Sequence, residues 1–324
     1  MSAVPQEAQA RKLQALGQAM GPVIASALAD PDVVQVIVNP DGAIWTDGAR
    51  AGRVFTGAWL DASAAERVLR LVADHAGQVV NAEHPLLSAV LPVTGERFQG
   101  VCAPLSRRPS FAIRKRPAAI FSLESYVEQG IITPGQSACL AGAAATRANI
   151  LVVGGAGSGK TTLANAILAL PAFSQDRVVL IEDTAELQCA APDQLALLTR
   201  PSAPAINMSD LVRAALRLRP DRIVIGEVRD ASALDLIKAW NTGHPGGLAT
   251  LHANSAFEAL WRLEDLMGEA VAQPPCRSIG QAIDLIVFLK RTPSGRRLEG
   301  LLRVEAWTQG GYRTCDLTQG DGYF

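Results

Sequence analysis

The chain has 324 residues, 48% of them apolar and 19% charged, with 30 lysines and arginines against 31 aspartates and glutamates and a net charge of −1. That length suits two domains, each large enough to bury a core without metals or disulfides. The near-neutral balance excludes a globally basic nucleic-acid binder and an acidic disordered tail, and the low charged fraction leaves room for large buried surfaces.

No apolar run reaches the roughly 18 residues needed to span a bilayer. Glu7, Gln9, Arg11, Lys12 and Gln14 occupy the place where a secretory signal needs an apolar stretch. The five cysteines (Cys102, Cys139, Cys189, Cys276, Cys315) are scattered and form no C-x-x-C pair, so they suggest neither zinc nor a disulfide framework. A reducing cytosol is the expected compartment.

In chain order, Leu13, Leu16, Met20, Val23, Ile24, Ala27 and Leu28 recur at helical spacing and predict one helix over 6–29, ending before Pro31. Short strands are expected at 33–38, 43–46 and 53–56 around the turn Asn39-Pro40-Asp41-Gly42. A helix at 61–76 would open at Asp61 or Ser63, and strands at 97–103 and 110–114 follow. Residues 1–120 thus read as an α+β domain. Pro117, Gly130, Pro134 and Gly135 give 117–136 linker character, and the linker between the domains is placed at 121–136. Thr133-Pro134-Gly135-Gln136 then matches a capped helix start.

From 137 to 324 the rhythm changes. Apolar strand-length runs at 150–153, 178–181, 223–225, 248–251, 285–289 and 301–307 alternate with helical patterns, with helix starts expected at Ser209, Asp230 and Ser255. Such alternation predicts an α/β domain whose mostly parallel sheet is covered on both faces.

Gly154-Gly155-Ala156-Gly157-Ser158-Gly159-Lys160-Thr161 fits G-x-x-x-x-G-K-[ST] between a strand and the helical run opened by Thr162. Glycines let backbone N–H groups point at phosphate oxygens, and the helix N-terminus adds positive potential. Lys160 is expected on the β- and γ-phosphates of ATP and Thr161 on Mg²⁺. A triphosphate site also needs acids for the metal and the attacking water. The strand at 178–181 ends in Glu182-Asp183, and the strand at 223–225 ends in Gly226-Glu227. Both deliver carboxylates to the edge that carries Lys160. A third strand ends at His252, a candidate sensor of the γ-phosphate.

Residues 96–116 carry Arg97, Arg107, Arg108, Arg114, Lys115 and Arg116 against a single acid, Glu96. Such a segment suits phosphate contact, either with nucleic acid or as arginine fingers on a nucleotide.

The phosphate loop, Leu180-Ile181-Glu182-Asp183-Thr184, the run from Arg219 to Arg229, and the run from Thr242 through Asn254 resemble, in this order, the motifs of the secretion-superfamily ATPases of type IV secretion and conjugation. The resemblance implies a RecA-like P-loop domain at 137–324 beside a smaller α+β domain, and a homo-hexameric, Mg²⁺-dependent ATP-hydrolysing motor. It implies a cytoplasmic protein, peripheral at the inner face of the bacterial inner membrane. Its partners would be inner-membrane components of the apparatus, without sequence-specific nucleic-acid binding. Carried over, Glu182 and Glu227 handle Mg²⁺ and water, and His252 couples nucleotide state to conformation. Arg97 and Arg114 are the finger candidates, ahead of Arg108 and Arg116. Gly247-Leu248-Ala249 departs from the small polar residues of many relatives. A pilus or type II secretion motor and a DNA translocase are the alternatives.

Overall fold

A computed structural model describes residues 4–48, 51–115, 120–200, 204–292, 295–319 and 324. Arg116 and Pro117, singled out above, lie outside the described residues. The chain forms two compact units, Met1–Ala118 and Ala119–Phe324.

The first unit comprises α1 (Val4–Ala29), β1 (Val33–Val38), β2 (Ala43–Gly48), β3 (Gly52–Trp59), α2 (Ala62–His75), β4 (Leu86–Val90), β5 (Arg97–Val101) and β6 (Ser110–Arg114). Its antiparallel sheet has the order β3-β2-β1-β6-β5-β4. Alternation sorts the side chains: Val36, Val38, Phe98, Phe111 and Ile113 face a core shared with Leu16 and Ile24 of α1 and Val68, Leu69 and Val72 of α2. Asp61 caps α2 by accepting the Ala64 amide at 2.9 Å. The expected single helix at 6–29 is broken. Gly21 sits at φ 74° and Pro22 supplies no amide, so the chain kinks there.

The second unit comprises α3 (Leu123–Glu128), α4 (Pro134–Ala145), β7 (Ile150–Val153), α5 (Lys160–Leu168), β8 (Val178–Glu182), β9 (Gln194–Leu198), α6 (Met208–Ala215), β10 (Arg222–Val228), α7 (Ser232–Asn241), β11 (Leu248–Leu251), α8 (Glu258–Gly268), α9 (Cys276–Ala282), β12 (Leu285–Thr292), β13 (Gly295–Thr308) and β14 (Gly311–Asp316). Its sheet has the order β14-β13-β12-β7-β11-β10-β8-β9, parallel from β12 to β9 and antiparallel from β12 to β14.

Both faces are covered, as the continuous apolar runs require. Leu151, Val153, Ile181, Ile223 and Ile225 meet α6, α7 and α8 on one face. Ile150, Val152, Leu180 and Val224 meet α4 and α5 on the other. Burying each such side chain contributes about 1.5–3 kcal/mol.

Residues 121–136, read from sequence as a linker, are built into this second unit. Leu123, Tyr126 and Ile132 are buried in the core that covers α5. The capping box at Thr133 and Gln136 forms as expected. Helix α6 is capped by Asn207, two residues before the expected Ser209, because Asn207 and Asp210 make a reciprocal capping box.

At the end of the sheet away from Glu182, Arg222 is buried with its Nε donating to Asp176 Oδ2 at 2.5 Å. Its Nη atoms donate to the carbonyls of Ala144, Ala172 and Gly246 at 2.9–3.3 Å, and the guanidinium lies over the Phe173 ring. Arg147 pairs with the other Asp176 oxygen. Full pairing is what makes a buried charge tolerable.

Candidate functional site

The loop from Gly154 to Lys160 joins the end of β7 to the start of α5. Gly154, Gly157 and Gly159 have φ of 155°, 69° and 100°, conformations that side chains other than glycine rarely adopt. A Cβ on Gly154 would stand 2.2 Å from the Leu289 carbonyl oxygen, so this turn also requires a bare backbone for packing. Helix α5 has no side-chain cap, and its first amides remain for an anion.

Ser158 is 2% exposed, and its Oγ has no hydrogen-bond partner among the described residues. An orphaned buried hydroxyl beside uncapped amides fits a phosphate ligand. Lys160 is buried, its Nζ donating to the carbonyls of Gly154 and Gly155 at 3.1 Å. Thr161 and Thr162 occupy the next two positions of α5, half-buried.

Three strand ends meet this loop's edge. Glu182, the last residue of β8, is buried, and its Oε1 accepts the amides of Glu186 at 2.9 Å and Leu187 at 2.8 Å. Glu227 is re-aimed by a β-bulge: Ile225 pairs with Ala249 and Val228 with Leu251, which leaves one extra residue in β10. Thr250 Oγ1 satisfies the Gly226 carbonyl at 2.6 Å. The glycine before Glu227 has a packing cause, since a Cβ there would lie 2.9 Å from Glu182 Cγ.

His252, directly after β11, bridges the site. Its Nδ1 is 3.4 Å from Lys160 Nζ and its Nε2 is 2.6 Å from Glu227 Oε1. An ammonium only donates, so Nδ1 accepts and the neutral ring carries its proton on Nε2. Burial and the neighbouring Lys160 charge push the His252 pKa below its ordinary value, which outweighs the opposing pull of Glu227. Glu227 Oε1, despite the short approach of Nε2, accepts no aligned hydrogen bond among the described residues. The other Glu227 oxygen pairs with Arg229 Nη2. Arg229 Nη1 lies 3.7 Å from Asp183 Oδ2, and Asp183 also accepts the Thr199 hydroxyl at 2.9 Å.

The structure therefore brings Lys160, Glu227 and His252 together, with Glu182 packed against Gly226. Among the described residues no cluster of three or more His, Cys, Asp or Glu could hold a metal ion by itself. The hydroxyl and carboxylates present suit Mg²⁺, which keeps waters and leans on substrate phosphates.

Arg97 and Arg114 belong to the first unit, where they are direct cross-strand partners on β5 and β6. They share the sheet face opposite the buried Phe98 and Ile113. Arg107 and Arg108 are exposed in the loop between those strands. Gly247, in the departure noted above, presses its backbone on Trp240: a Cβ there would lie 2.1 Å from the indole Nε1.

Sequence reasoning assigned no role to Arg229. Its place two residues beyond Glu227, on the same side of an extended chain, was the available signal. The Arg222–Asp176 pair left no local signal, because its members are 46 residues apart.

The family described as Type II/IV secretion system protein matches residues 68–322. The probable conjugal transfer protein TrbB of Sinorhizobium fredii is 44% identical over 304 residues, covering 93% of this chain and 91% of that one. The type IV secretion system protein VirB11 of Bartonella henselae is 28% identical, covering 76% and 80%. Among solved structures, the Yersinia pseudotuberculosis ATPase DotB shares the fold with a TM-score of 0.60 at 17% identity, covering 89% and 79%. With most of its length matched and its motifs in order, the chain belongs to the type II/IV secretion system protein family.

Proposed function

We propose that the chain is a Mg²⁺-dependent ATPase that works as a homo-hexamer on a conjugative type IV secretion apparatus, cytoplasmic and peripheral at the inner membrane. The observation that carries the enzymatic part is the convergence of Lys160, the orphaned Ser158 hydroxyl, Glu227 and His252 at one sheet edge. The likeness to conjugal transfer and type IV secretion proteins supports the apparatus. Among the described residues no helix is long and apolar enough to cross a membrane, which suits a peripheral attachment.

In this reading the loop amides and Ser158 hold the β-phosphate, and Lys160 leaves its carbonyl partners for the β- and γ-phosphates. Thr161, Glu227 and Glu182 are the residues that would hold Mg²⁺, which when bound neutralises charge developing on the phosphates. Glu227 Oε1 orients the attacking water. Glu182 keeps the turn at 186–187 in place through its two amide bonds. His252 exchanges its Lys160 contact when that lysine turns to phosphate, and so reports nucleotide state to Glu227. Arg97 and Arg114 bring positive charge to the phosphates as fingers.

The test is Glu227→Gln in a steady-state phosphate-release assay. The variant is expected still to bind ATP but to hydrolyse it at least about a hundredfold more slowly. Wild-type turnover would defeat the assignment.

A further inference from the structure

The hairpin of β12 and β13 carries Lys290, Arg291, Arg296 and Arg297, with Lys290 paired to Glu299 at 2.9 Å. Register places Arg291 directly opposite Arg296, and Lys290 opposite Arg297. Two residues further into the hairpin, Leu289 faces Leu298, and both are buried in the core that covers α5. Alternation therefore puts Arg291 and Arg296 on that same face, one step past the buried pair, while Arg297 points to the other face.

This row emerges at the phosphate loop. A Cβ on Gly159 would lie 3.1 Å from Arg296 Cδ and 3.2 Å from its Nε. Gly159 is thus bare both for its φ of 100° and because the arginine stem passes over it. The hairpin is held by the Leu298 amide, which donates to the Ile131 carbonyl at 2.9 Å.

Arg291 and Arg296 have no carboxylate partner among the described residues. Like charges directly opposite on paired strands destabilise the pairing, and an anion between them removes that cost. The nearest built anion site is the loop over which Arg296 lies, with its orphaned Ser158 hydroxyl and uncapped helix. A guanidinium can take two phosphate oxygens at once.

We infer that Arg296, with Arg291 beside it, is a second cationic arm on the α- and β-phosphates of the nucleotide held by residues 154–161. The arm comes from the same unit as the loop. This inference rests on the nucleotide reading above. It differs from the proposed fingers, Arg97 and Arg114, because those belong to the first unit.

The experiment titrates the full chain with ADP calorimetrically, without divalent metal, and follows inorganic pyrophosphate as a competitor. Arg296→Gln is expected to raise the ADP Kd about tenfold, the factor for one charge-assisted hydrogen bond, and to weaken pyrophosphate equally. Arg296→Lys should recover part of the loss. Arg297→Gln removes the same charge from the opposite face and should stay within about twofold of wild type. Thermal midpoints matching wild type would establish that each variant is folded. An unchanged ADP Kd in Arg296→Gln overturns the inference, as does an equal loss in Arg297→Gln. A loss for ADP without one for pyrophosphate also overturns it, because the contact would then be to the base. Wild-type protein that binds no ADP would sink the nucleotide reading itself, a result distinct from binding that the variants leave unaltered.

Discussion

The two sheets treat polar residues in opposite ways. In the first unit, helices cover one face, and the other face carries Gln99, Ala112, Arg97 and Arg114 along β5 and β6. A charge on such a face needs no partner, so its presence says little about purpose. In the second unit both faces are covered, and β7, β8 and β11 are buried at every position. Across β7, β8, β10 and β11 the polar side chains are Glu182, Arg222, Glu227 and Thr250, each near a strand end or held by hydrogen bonds, as Arg222 is by Asp176 and Thr250 by the Gly226 carbonyl. A strand-end carboxylate in this sheet is therefore informative, and an arginine on the first sheet is not until it is tested.

The sharpest way to break the comparison sets one residue from each sheet side by side. Lys160→Ala is expected to lower ATP turnover at least about a hundredfold, and Arg114→Gln to do the same if it reaches phosphate. Phosphate release at saturating ATP measures both. Near-normal turnover in Arg114→Gln, with Lys160→Ala inactive, would make the first sheet's arginine row an ordinary solvated face. Mixing the two variants restores turnover where the arginine crosses to a neighbouring copy.

The closed network predicts a loss of stability rather than of chemistry. Asp176→Ala leaves Arg222, 2% exposed, without its carboxylate. Breaking one member of a buried pair costs about 3–5 kcal/mol, readable as a lower urea midpoint. A change below about 1 kcal/mol would show that the carbonyls around Arg222 suffice alone.

Much of the second sheet's edge was legible in the chain. The phosphate loop has a fixed spacing between a strand and a helix, and parallel strands deliver their ends to one side. The rest depended on partners distant in sequence. Glycine at 226 is required by the Glu182 side chain packed against it, and no local pattern announces that. Arg296 became meaningful only once register placed it beyond Leu298 and over Gly159. The apparent linker was misread because Pro and Gly mark turns, whereas Leu123, Tyr126 and Ile132 were the residues that decided where 121–136 belongs.

A smaller effect separates packing from backbone freedom at glycine. Gly226→Ala inserts a methyl 2.9 Å from Glu182 Cγ and 3.1 Å from its Oε1. Overpacking of this kind costs about 1–3 kcal/mol. Gly268, at the end of α8, has nothing within 4 Å of an added Cβ. Its replacement by alanine should be neutral or stabilising by up to about 1 kcal/mol. Equal denaturation midpoints for the two variants would count against the tight seat of Glu182.

The smallest expected effect concerns acid. Burial and the Lys160 charge hold the His252 pKa below 6.5, against the pull of Glu227, with Arg229 and Arg262 adding to the depression. The folded chain then binds fewer protons at this ring than the unfolded chain does as pH falls through 6.5. Stability at this position is accordingly full above the unfolded value, and it declines with acid until the folded ring also protonates. A protonated His252 would also set a second positive charge 3.4 Å from Lys160. His244 is depressed by burial too and adds a slope of the same sign in wild type and variant alike. His252→Gln should therefore show a shallower loss of urea midpoint between about pH 7 and about pH 5, without abolishing it. Parallel pH profiles for the two proteins would mean that His252 has no depressed pKa in the fold, and the neutral bridge from Lys160 to Glu227 would lose its support.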